Sequence, residues 1–296
     1  MITKALFPLT CAITLLAFTG CKSISSSGAV NFSAGVTTAK TQSGETFRTI
    51  NDLVAADQLE DAAKATNLTE QLFTKVLNPE DIAVWDQSFA KLESYAQHLQ
   101  SLDSPDVANS FVQEAENLGG ELKTFGQNLK QTGLIASAPE ISAGLATAFT
   151  ELGSIIIRAK AHHDALRIAS AANSNVVTIF RVMSAGVGDT SKTGLRGTSR
   201  EHWLGRLAVL KQQFKKQSDE TGKREIAEKF VAMMEQRDAQ DAALASLRRS
   251  LLGLAAMHQS LSKGDSASVA QLAQMLSQEM KATRDIHSQF QSNLNH

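Results

Sequence analysis

The side chains of this 296-residue chain that could hold a metal ion or a haem are its seven histidines: His98, His162, His163, His202, His258, His287 and His296. Helical bundles bind metals through inward-facing glutamates and Glu-x-x-His pairs, but neither Glu-x-x-His nor His-x-x-His occurs in the sequence. His163 and His258 fall on apolar stripes of predicted helices, and facing each other they would form a site for a metal or a small ligand. Hydrogen-bonded core histidines are the commoner outcome, and we therefore expect no metal and no cofactor.

The sequence contains no spacing typical of nucleophilic catalysis or phosphate binding. Gly-x-Ser-x-Gly is absent, and so is Cys-x-x-Cys-His, which excludes a covalently attached c-type haem. The stretch GVGDTSKTG at residues 186–194 contains Lys192-Thr193, but it lacks the Gly-Lys-Ser/Thr ending and the preceding strand of a phosphate-binding loop. We interpret this stretch as a turn, and we expect a protein that is not an enzyme.

A basic patch with one aromatic residue lies close to the predicted start of a helix. Its residues are Arg196, Arg200, His202, Trp203 and Arg206. As a surface patch it could contact anionic glycans or lipid headgroups. The alternative is that Trp203 packs against the end of the bundle, and the sequence favours this second interpretation.

The composition favours long helices over a sheet, because aromatic residues are only 5% of the chain and no proline follows Pro139. The formal net charge of −1 gives no reason to expect a nucleic-acid partner. Charge is unevenly distributed, with 15 acidic and four basic residues over 45–121, but 14 basic and seven acidic residues over 155–229. These segments either neutralise each other across the bundle or present a partner-binding surface.

Apolar residues recur at spacings of three and four along most of the chain, which is the pattern of helices with one buried face. We predict a first helix over residues 45–77, and further helices that start at Pro79, Pro105 and Pro139. Residues 22–44 are rich in Ser, Gly, Thr and Ala. They show little periodicity, and we predict that they form a flexible tether.

The apolar stripe that follows Pro139 predicts a helix to residue 185, about 70 Å long if it is unbroken. A loop over residues 186–197 should come next. Gly119-Gly120 interrupts an earlier stripe and marks a predicted kink or a point of close packing between helices.

Thr198-x-x-Glu201 has the spacing of a capping box at the start of the next helix. The polar stretch 211–225 leaves two alternatives open, either one very long helix or a break near Gly222. Gly264-Asp265-Ser266 predicts the start of the last helix. Since short connections imply antiparallel neighbours, the sequence predicts an all-α fold, an elongated antiparallel bundle or coiled-coil-like rod over residues 45–296.

Residues 134–157 are the most apolar stretch of the body, and they loosely resemble the insertion segment of helical pore-forming proteins. Pro139, Glu140 and Glu151 make this stretch a poor membrane-spanning helix. We therefore expect a buried central helix, with a membrane-active segment as the alternative.

The chain begins MITKALFPLTCAITLLAFTGCKS, in which Lys4 precedes an uncharged run from Ala5 to Phe18. This run is shorter than the roughly 20 apolar residues of a spanning helix, but it suits the hydrophobic region of a secretory signal. It ends in Thr19-Gly20-Cys21, which resembles the small-small-Cys lipobox of a bacterial lipoprotein precursor. Phe18 stands where that family usually has Leu.

The resemblance implies that residues 1–20 are removed and that Cys21 carries a diacylglycerol group on its sulfur and a third acyl chain on its new amine. Two or more acyl chains anchor a protein durably. Cys11 would leave with the signal, so the mature chain could form no internal disulfide. Lys22 takes the place of the Asp that retains many lipoproteins at the inner membrane, which implies the outer membrane, facing the periplasm. The alternative is an ordinary signal peptide cut elsewhere.

From these features we expect a lipid-anchored periplasmic bundle that acts as a non-enzymatic envelope scaffold or protein-binding module. Its partners would be the membrane, through the lipid, and an envelope protein, and the chain could also form a homo-oligomer. The alternatives are a bundle that binds a metal or small ligand at His163 and His258, and a membrane-active effector that uses residues 134–157.

Lipidation predicts that cells grown with a labelled fatty acid incorporate the label into this protein at Cys21. A Cys21→Ser chain should carry no label, because the thioether needs the thiol. Cys11→Ser is the matched control and should label normally, since Cys11 is removed with the signal. Label that persists on the Cys21→Ser chain in a gel autoradiograph contradicts the prediction.

Overall fold

The computed structural model describes residues 26–63, 65–73, 75–77, 79–102, 111–132, 139–159 and 164–294. These residues form eight α-helices and one short 3₁₀ helix, with no strand among them. The predicted all-α bundle is therefore confirmed. The elements are α1 (Ser26–Ala62), the 3₁₀ helix (Glu70–Leu72), α2 (Pro79–Ser101), α3 (Phe111–Thr132), α4 (Pro139–Ala159), α5 (Ala165–Val187), α6 (Gly194–Lys216), α7 (Glu220–Leu261) and α8 (Ser266–Leu294).

The centre of the bundle lies where α7 packs against α1, α5 and α8. Helix α2 packs on α1, and α4 packs on α5 and carries α3 on another side. One continuous apolar core runs through these helices, and it includes the fully buried side chains of Phe32, Phe89, Phe149, Phe180 and Leu254. The bundle therefore holds together by packing over nearly its whole described length.

The predicted flexible tether over residues 22–44 is wrong from residue 26 onward, because α1 begins there and lies in the core. Ser, Thr and Gly are poor helix formers, but tertiary burial of one helix face overrides weak propensity. The bundle thus starts at residue 26 rather than 45, and α1 also ends earlier than the predicted helix did. The fully buried apolar residues in this part of α1 recur at spacings of three and four: Ala29, Phe32, Val36 and Ala39.

The single long helix predicted over residues 139–185 is also wrong, because a new helix starts at Asp164. The Asp164 carboxylate accepts hydrogen bonds from the backbone N–H of Leu166 at 2.9 Å and of Arg167 at 3.3 Å. Such a side-chain cap satisfies amides that the first turn leaves without intrahelical partners. The chain can therefore turn back, and α5 packs along α4.

Two predicted connections are confirmed. The loop predicted over residues 186–197 is observed between α5 and α6, over the shorter range 188–193. Gly188 in this loop and Gly194 at the start of α6 adopt φ angles of 108° and 57°. The restart before α8 has Gly264 at φ 69°, and the Asp265 carboxylate accepts a hydrogen bond from Ser268 N at 3.1 Å. Positive φ is readily available to glycine, which is why these turns form there.

The predicted capping box at Thr198 is wrong, because α6 begins at Gly194 and Thr198 lies inside it, donating to the Gly194 carbonyl oxygen at 3.3 Å. Of the two alternatives for the polar stretch 211–225, the break is the one observed. It lies at residues 217–219 rather than at Gly222, and Gly222 N donates to the Asp219 carboxylate at 2.8 Å as α7 starts.

Helices α3 and α4 approach so closely that glycine faces glycine. A Cβ atom added to Gly119 would lie 2.5 Å from the Ile157 side chain and 2.7 Å from the Gly153 carbonyl oxygen. A Cβ added to the neighbouring Gly120 would meet nothing within 4 Å. The predicted close-packing point at Gly119-Gly120 is therefore confirmed, and Gly119 is the position at which a side chain larger than hydrogen does not fit.

A hydrogen-bonded polar layer joins α1, α7 and α8 inside the core. Gln42 donates to Thr283 Oγ1 at 2.8 Å and accepts from Ser250 Oγ at 2.7 Å. Thr283 Oγ1 donates to Ser246 Oγ at 3.0 Å, and Ser246 Oγ donates to the Glu279 carboxylate at 2.7 Å. Leaving one buried polar group unpaired costs about 1–3 kcal/mol. A shift of one of these helices by one turn would break several of these hydrogen bonds. The layer therefore favours a single register of α1, α7 and α8 relative to each other.

The glycine contact predicts opposite effects for two adjacent substitutions. Gly119→Ala should lower the free energy of unfolding by about 1–3 kcal/mol, because the added methyl group forces α3 away from α4. Gly120→Ala is the matched control and should raise it by up to about 1 kcal/mol, since alanine favours a helix over glycine. Urea titrations followed by circular dichroism measure both, and equal effects at the two positions would contradict the assignment.

Candidate interaction surface

Residues 204–239 form a two-helix arm in which only Leu207 is buried. The second half of α6 and the first half of α7 make up the arm, and they are joined at residues 217–219. Beyond the arm, the buried residues of α7 begin at Gln240 and continue to Leu261. Helix α7, with 42 residues and a length of about 63 Å, therefore belongs to both the arm and the bundle.

Polar contacts attach the base of the arm to α7. Arg196 makes a bidentate ion pair with Asp241, in which Nε–Oδ1 and Nη2–Oδ2 are both 2.8 Å. Gln240 Oε1 accepts from Trp203 Nε1 at 2.7 Å and from Ser199 Oγ at 2.9 Å. Bidentate pairs and buried hydrogen bonds are directional, so they define the angle at which α6 leaves the bundle.

These contacts correct the predicted surface patch. Trp203 is only 1% exposed and packs with Leu53 and Met233, while Arg196 is engaged by Asp241. The aromatic member of the patch is therefore unavailable to a glycan or a lipid, and the alternative that Trp203 packs the end of the bundle is confirmed. The remaining members are half-buried: Arg200, His202 and Arg206.

The two helices of the arm face each other through aromatic rings and lysines rather than through a thick apolar core. Lys211 Nζ lies 5.5 Å from the centre of the Phe230 ring, and Lys223 Nζ lies 5.9 Å from that of Phe214. Each such cation–π contact contributes about 0.5–1 kcal/mol at an exposed site. The arm is thus held together modestly along its outer part.

Large apolar side chains are exposed on the outside of the arm. Leu204 is 46% exposed, Val209 50%, Val231 54% and Met234 36%. Scattered exposed apolar residues are normal on protein surfaces, whereas apolar residues grouped on one projecting element are typical of interaction sites. The arm is therefore the strongest candidate for a binding surface in the described part of the chain.

His258 is a structural core residue. Its Nδ1 lies 3.1 Å from Asn173 Oδ1 and its Nε2 lies 2.9 Å from the Tyr95 hydroxyl. Because Asn173 Oδ1 can only accept, Nδ1 carries the proton, and Nε2 accepts from the Tyr95 O–H. The Phe32 ring packs edge-on against the His258 ring, with 5.2 Å between the ring centres. Burial lowers the pKa of His258 to about 3 and raises the pKa of Tyr95.

The predicted pairing of His258 with His163 stays a prediction, because His163 lies outside the described residues. Both ring nitrogens of His258 are already occupied by protein partners. Among the described residues, no group of three or more His, Cys, Asp or Glu side chains is placed to hold a metal ion. Cys21, the predicted lipidation site, also lies outside the described residues.

The apolar stretch 134–157 falls largely within α4. Leu145, Phe149, Leu152 and Ile156 are buried in the core cluster between neighbouring helices. The expected burial is thus confirmed for one face of α4, but its main contacts are with α3 and α5, so α4 lies beside the centre of the bundle rather than in it. Within the same described part of the chain, no helix is both long and apolar enough to cross a membrane.

Ion pairs show how part of the segregated charge is neutralised. Glu93 of the acidic segment pairs with Lys40 at 2.9 Å, and Glu45 with Arg284 at 3.6 Å. In the basic segment, Arg196 pairs with Asp241. Each of these partners lies outside the oppositely charged segment, so these contacts do not require the two segments to face each other.

Comparisons with known proteins give no match to a family model, to a curated protein or to a solved structure. Sequence reasoning also missed the arm. The only signal for it was the polar stretch 211–225, which interrupts the apolar stripe but does not say which residues lack a neighbouring helix.

The buried histidine predicts an acid-sensitive fold. The unfolded chain takes up a proton near pH 6.5, whereas His258 in the fold stays neutral down to about pH 3. The contribution of neutral His258 to the free energy of unfolding is therefore fully present above pH 6.5. It is lost as the pH falls below this value, by about 1.4 kcal/mol per pH unit. Urea titrations from pH 7 to pH 4 should show this slope.

His258→Gln is the control for that measurement, because glutamine keeps a polar side chain but does not titrate. The carboxylates contribute to the pH dependence of both proteins, so the difference between the two slopes isolates the histidine. Identical slopes would show that His258 is not buried in its neutral form.

Proposed function

We propose that this chain is a lipid-anchored protein of the bacterial cell envelope that acts as a non-enzymatic scaffold or protein-binding module. The arm, residues 204–239, is its partner-binding surface. Residues 1–20 act as the signal peptide, and Cys21 carries the lipid on the periplasmic face of the outer membrane.

The observation that carries the proposal is that α6 and α7 extend past the bundle and present apolar side chains there. The arm contributes little to the buried core, because Leu207 is its one buried residue and the buried residues of α7 begin only at Gln240. An exposed Val231 or Met234 on a helix gives a partner helix apolar area to cover. A projecting helical hairpin thus supports binding to another protein.

The start of α1 gives the anchoring hypothesis a geometric consequence. Only residues 22–25 separate Cys21 from Ser26, the first residue of α1. Four residues span at most about 14 Å, so a lipid on Cys21 would hold the bundle close to the membrane. The position of the arm above the membrane would then follow from the bundle itself.

No observation favours the two alternative functions. His258 has hydrogen-bond partners on both ring nitrogens, which leaves no lone pair for a metal. The buried face of α4 packs in the core, so a membrane-active role would require the bundle to open. Neither alternative uses the exposed arm.

Photo-crosslinking in the native cell tests the proposal. A photo-reactive residue at Val231 should yield adducts with an envelope protein or with a second copy of the chain. Met275 on α8 is the matched control, since both side chains are 54% exposed, and it should yield fewer adducts. Cys21→Ser should reduce the adducts from position 231, because the chain is no longer held at the membrane. Equal yields at positions 231 and 275 would contradict a binding role for the arm.

A further inference from the structure

One side of the arm carries a regular stripe on each helix. In α6, Trp203 and Phe214 lie on the line that faces α7, and in α7 the facing residues are Phe230 and Met233. The residue after each of these is rotated by about 100°. Because α6 and α7 run in opposite directions, the same rotation brings both stripes to the same side. We call this side the arm face. Its residues are Arg200, Leu204, Ala208, Lys211 and Lys215 on α6 and Glu220, Arg224, Ala227, Val231, Met234 and Asp238 on α7. The two cations in its middle have partners within the arm, because Lys211 lies over the Phe230 ring and Arg224 is paired with Glu228 at 2.9 Å.

The middle of the arm face is apolar and open. Leu204 lies close to the level of Met234 and about one turn from Val231, because Ser199 is hydrogen-bonded to Gln240 and Lys211 lies over the Phe230 ring. These side chains are 46%, 36% and 54% exposed, and Ala208 and Ala227 beside them are exposed as well. A flat apolar strip on two antiparallel helices is half of the core of a four-helix bundle.

The ends of the arm face carry opposite charges on the two helices. Near the tip, Lys215 of α6 and Glu220 of α7 lie on either side of the break. Near the base, Arg200 and Asp238 are level, because Ser199 and Gln240 are hydrogen-bonded. On this face α6 therefore ends in cations, and α7 ends in anions.

We propose that the arm face binds the arm face of a second copy, so that the two arms form a four-helix bundle about a two-fold axis along the arms. Helix α6 of each copy then lies antiparallel on α7 of the other. Leu204 meets Val231 and Met234, Lys215 meets Glu220, and Arg200 meets Asp238. A two-fold interface must be self-complementary, and this face offers apolar side chains opposite apolar side chains in its middle and opposite charges at its two ends.

Charge decides between a second copy and an anionic membrane as the occupant. The cations of α6 would suit anionic headgroups, but both ends of the arm face on α7 are acidic, at Glu220 and Asp238. Arg224 between them is already paired with Glu228 at 2.9 Å. Carboxylates beside an anionic bilayer are repelled, whereas a second arm uses both signs. This inference rests on the proposed function of the arm, and anchoring both copies to one membrane would raise their effective concentration.

Sedimentation equilibrium of the chain from residue 21, with Cys21→Ser, tests the pairing, because this protein retains every described residue. The unsubstituted arm should give a concentration-dependent dimer. Leu204→Gln or Val231→Gln should weaken the dimer about tenfold each, since each removes apolar area twice in the symmetric interface. Val209→Gln is the matched control, because Val209 is 50% exposed but lies about 140° around α6 from Leu204.

A charge exchange tests the register. Lys215→Glu and Glu220→Lys should each weaken the dimer, because each places like charges together at both symmetry-related contacts. An equimolar mixture of the two variants should dimerise more tightly than either alone. In the mixed dimer the two substituted side chains meet each other with opposite charges, and the other contact keeps its native Lys215–Glu220 pair. A mixture that is no tighter than its components would overturn the pairing.

The remaining outcomes separate this inference from the proposed function. A chain that stays monomeric, but crosslinks from position 231 to a different envelope protein, overturns self-association and leaves the binding role intact. A chain that stays monomeric and floats with anionic vesicles overturns self-association and shows that the arm face binds a membrane. A monomer without any adduct from position 231 overturns both the inference and the proposed function.

Discussion

Burial of the second half of α7 between α1, α5 and α8 is the interaction on which the rest of the structure depends. Leu244, Leu247, Leu251 and Leu254 recur at spacings of three and four and are fully buried. Each such side chain contributes about 1.5–3 kcal/mol relative to an exposed one. Since this half is held by three neighbours, the first half of the same helix can extend beyond the core with no buried residue before Gln240. The arm is a consequence of the unequal lengths of helices that share one core.

Polar groups decide how the apolar faces align. Leucines at similar spacings would tolerate a shift by one turn, but the layer around Gln42 and the Tyr95–His258–Asn173 contacts would not. At the edge of that layer, hydrogen bonds from Arg249 and Ser246 hold the pKa of Glu279 below its usual range. Buried polar groups that are fully paired specify one arrangement, while unpaired ones penalise the others. In this bundle, packing supplies stability and hydrogen bonds supply uniqueness.

The first helix links the proposed anchor to the core. Phe32 packs against His258 and Phe180, so α1 is part of the central packing within about ten residues of Cys21. A lipid on that cysteine would therefore act on the bundle almost directly rather than through a long flexible segment. In that arrangement the bundle orients the arm, and the membrane limits the positions that two neighbouring copies can take.

Local chemistry in the sequence determined the all-α class, the helix starts at Pro79 and Pro139, and the turn at Gly264, because period, proline and glycine act within a few residues. It did not reveal the burial of α1 before residue 45. In the sequence, Gly35 and the small side chains around it resemble a flexible tether. In the structure they pack against α7, where a Cβ atom added to Gly35 would lie 3.1 Å from the Leu254 side chain. The pairing of His258, the burial of Trp203 and the projection of the arm were likewise decided by tertiary structure. Each of these features depends on which distant residue lies opposite. A periodic apolar stripe indicates only that one face of a helix is buried, and not which residues bury it.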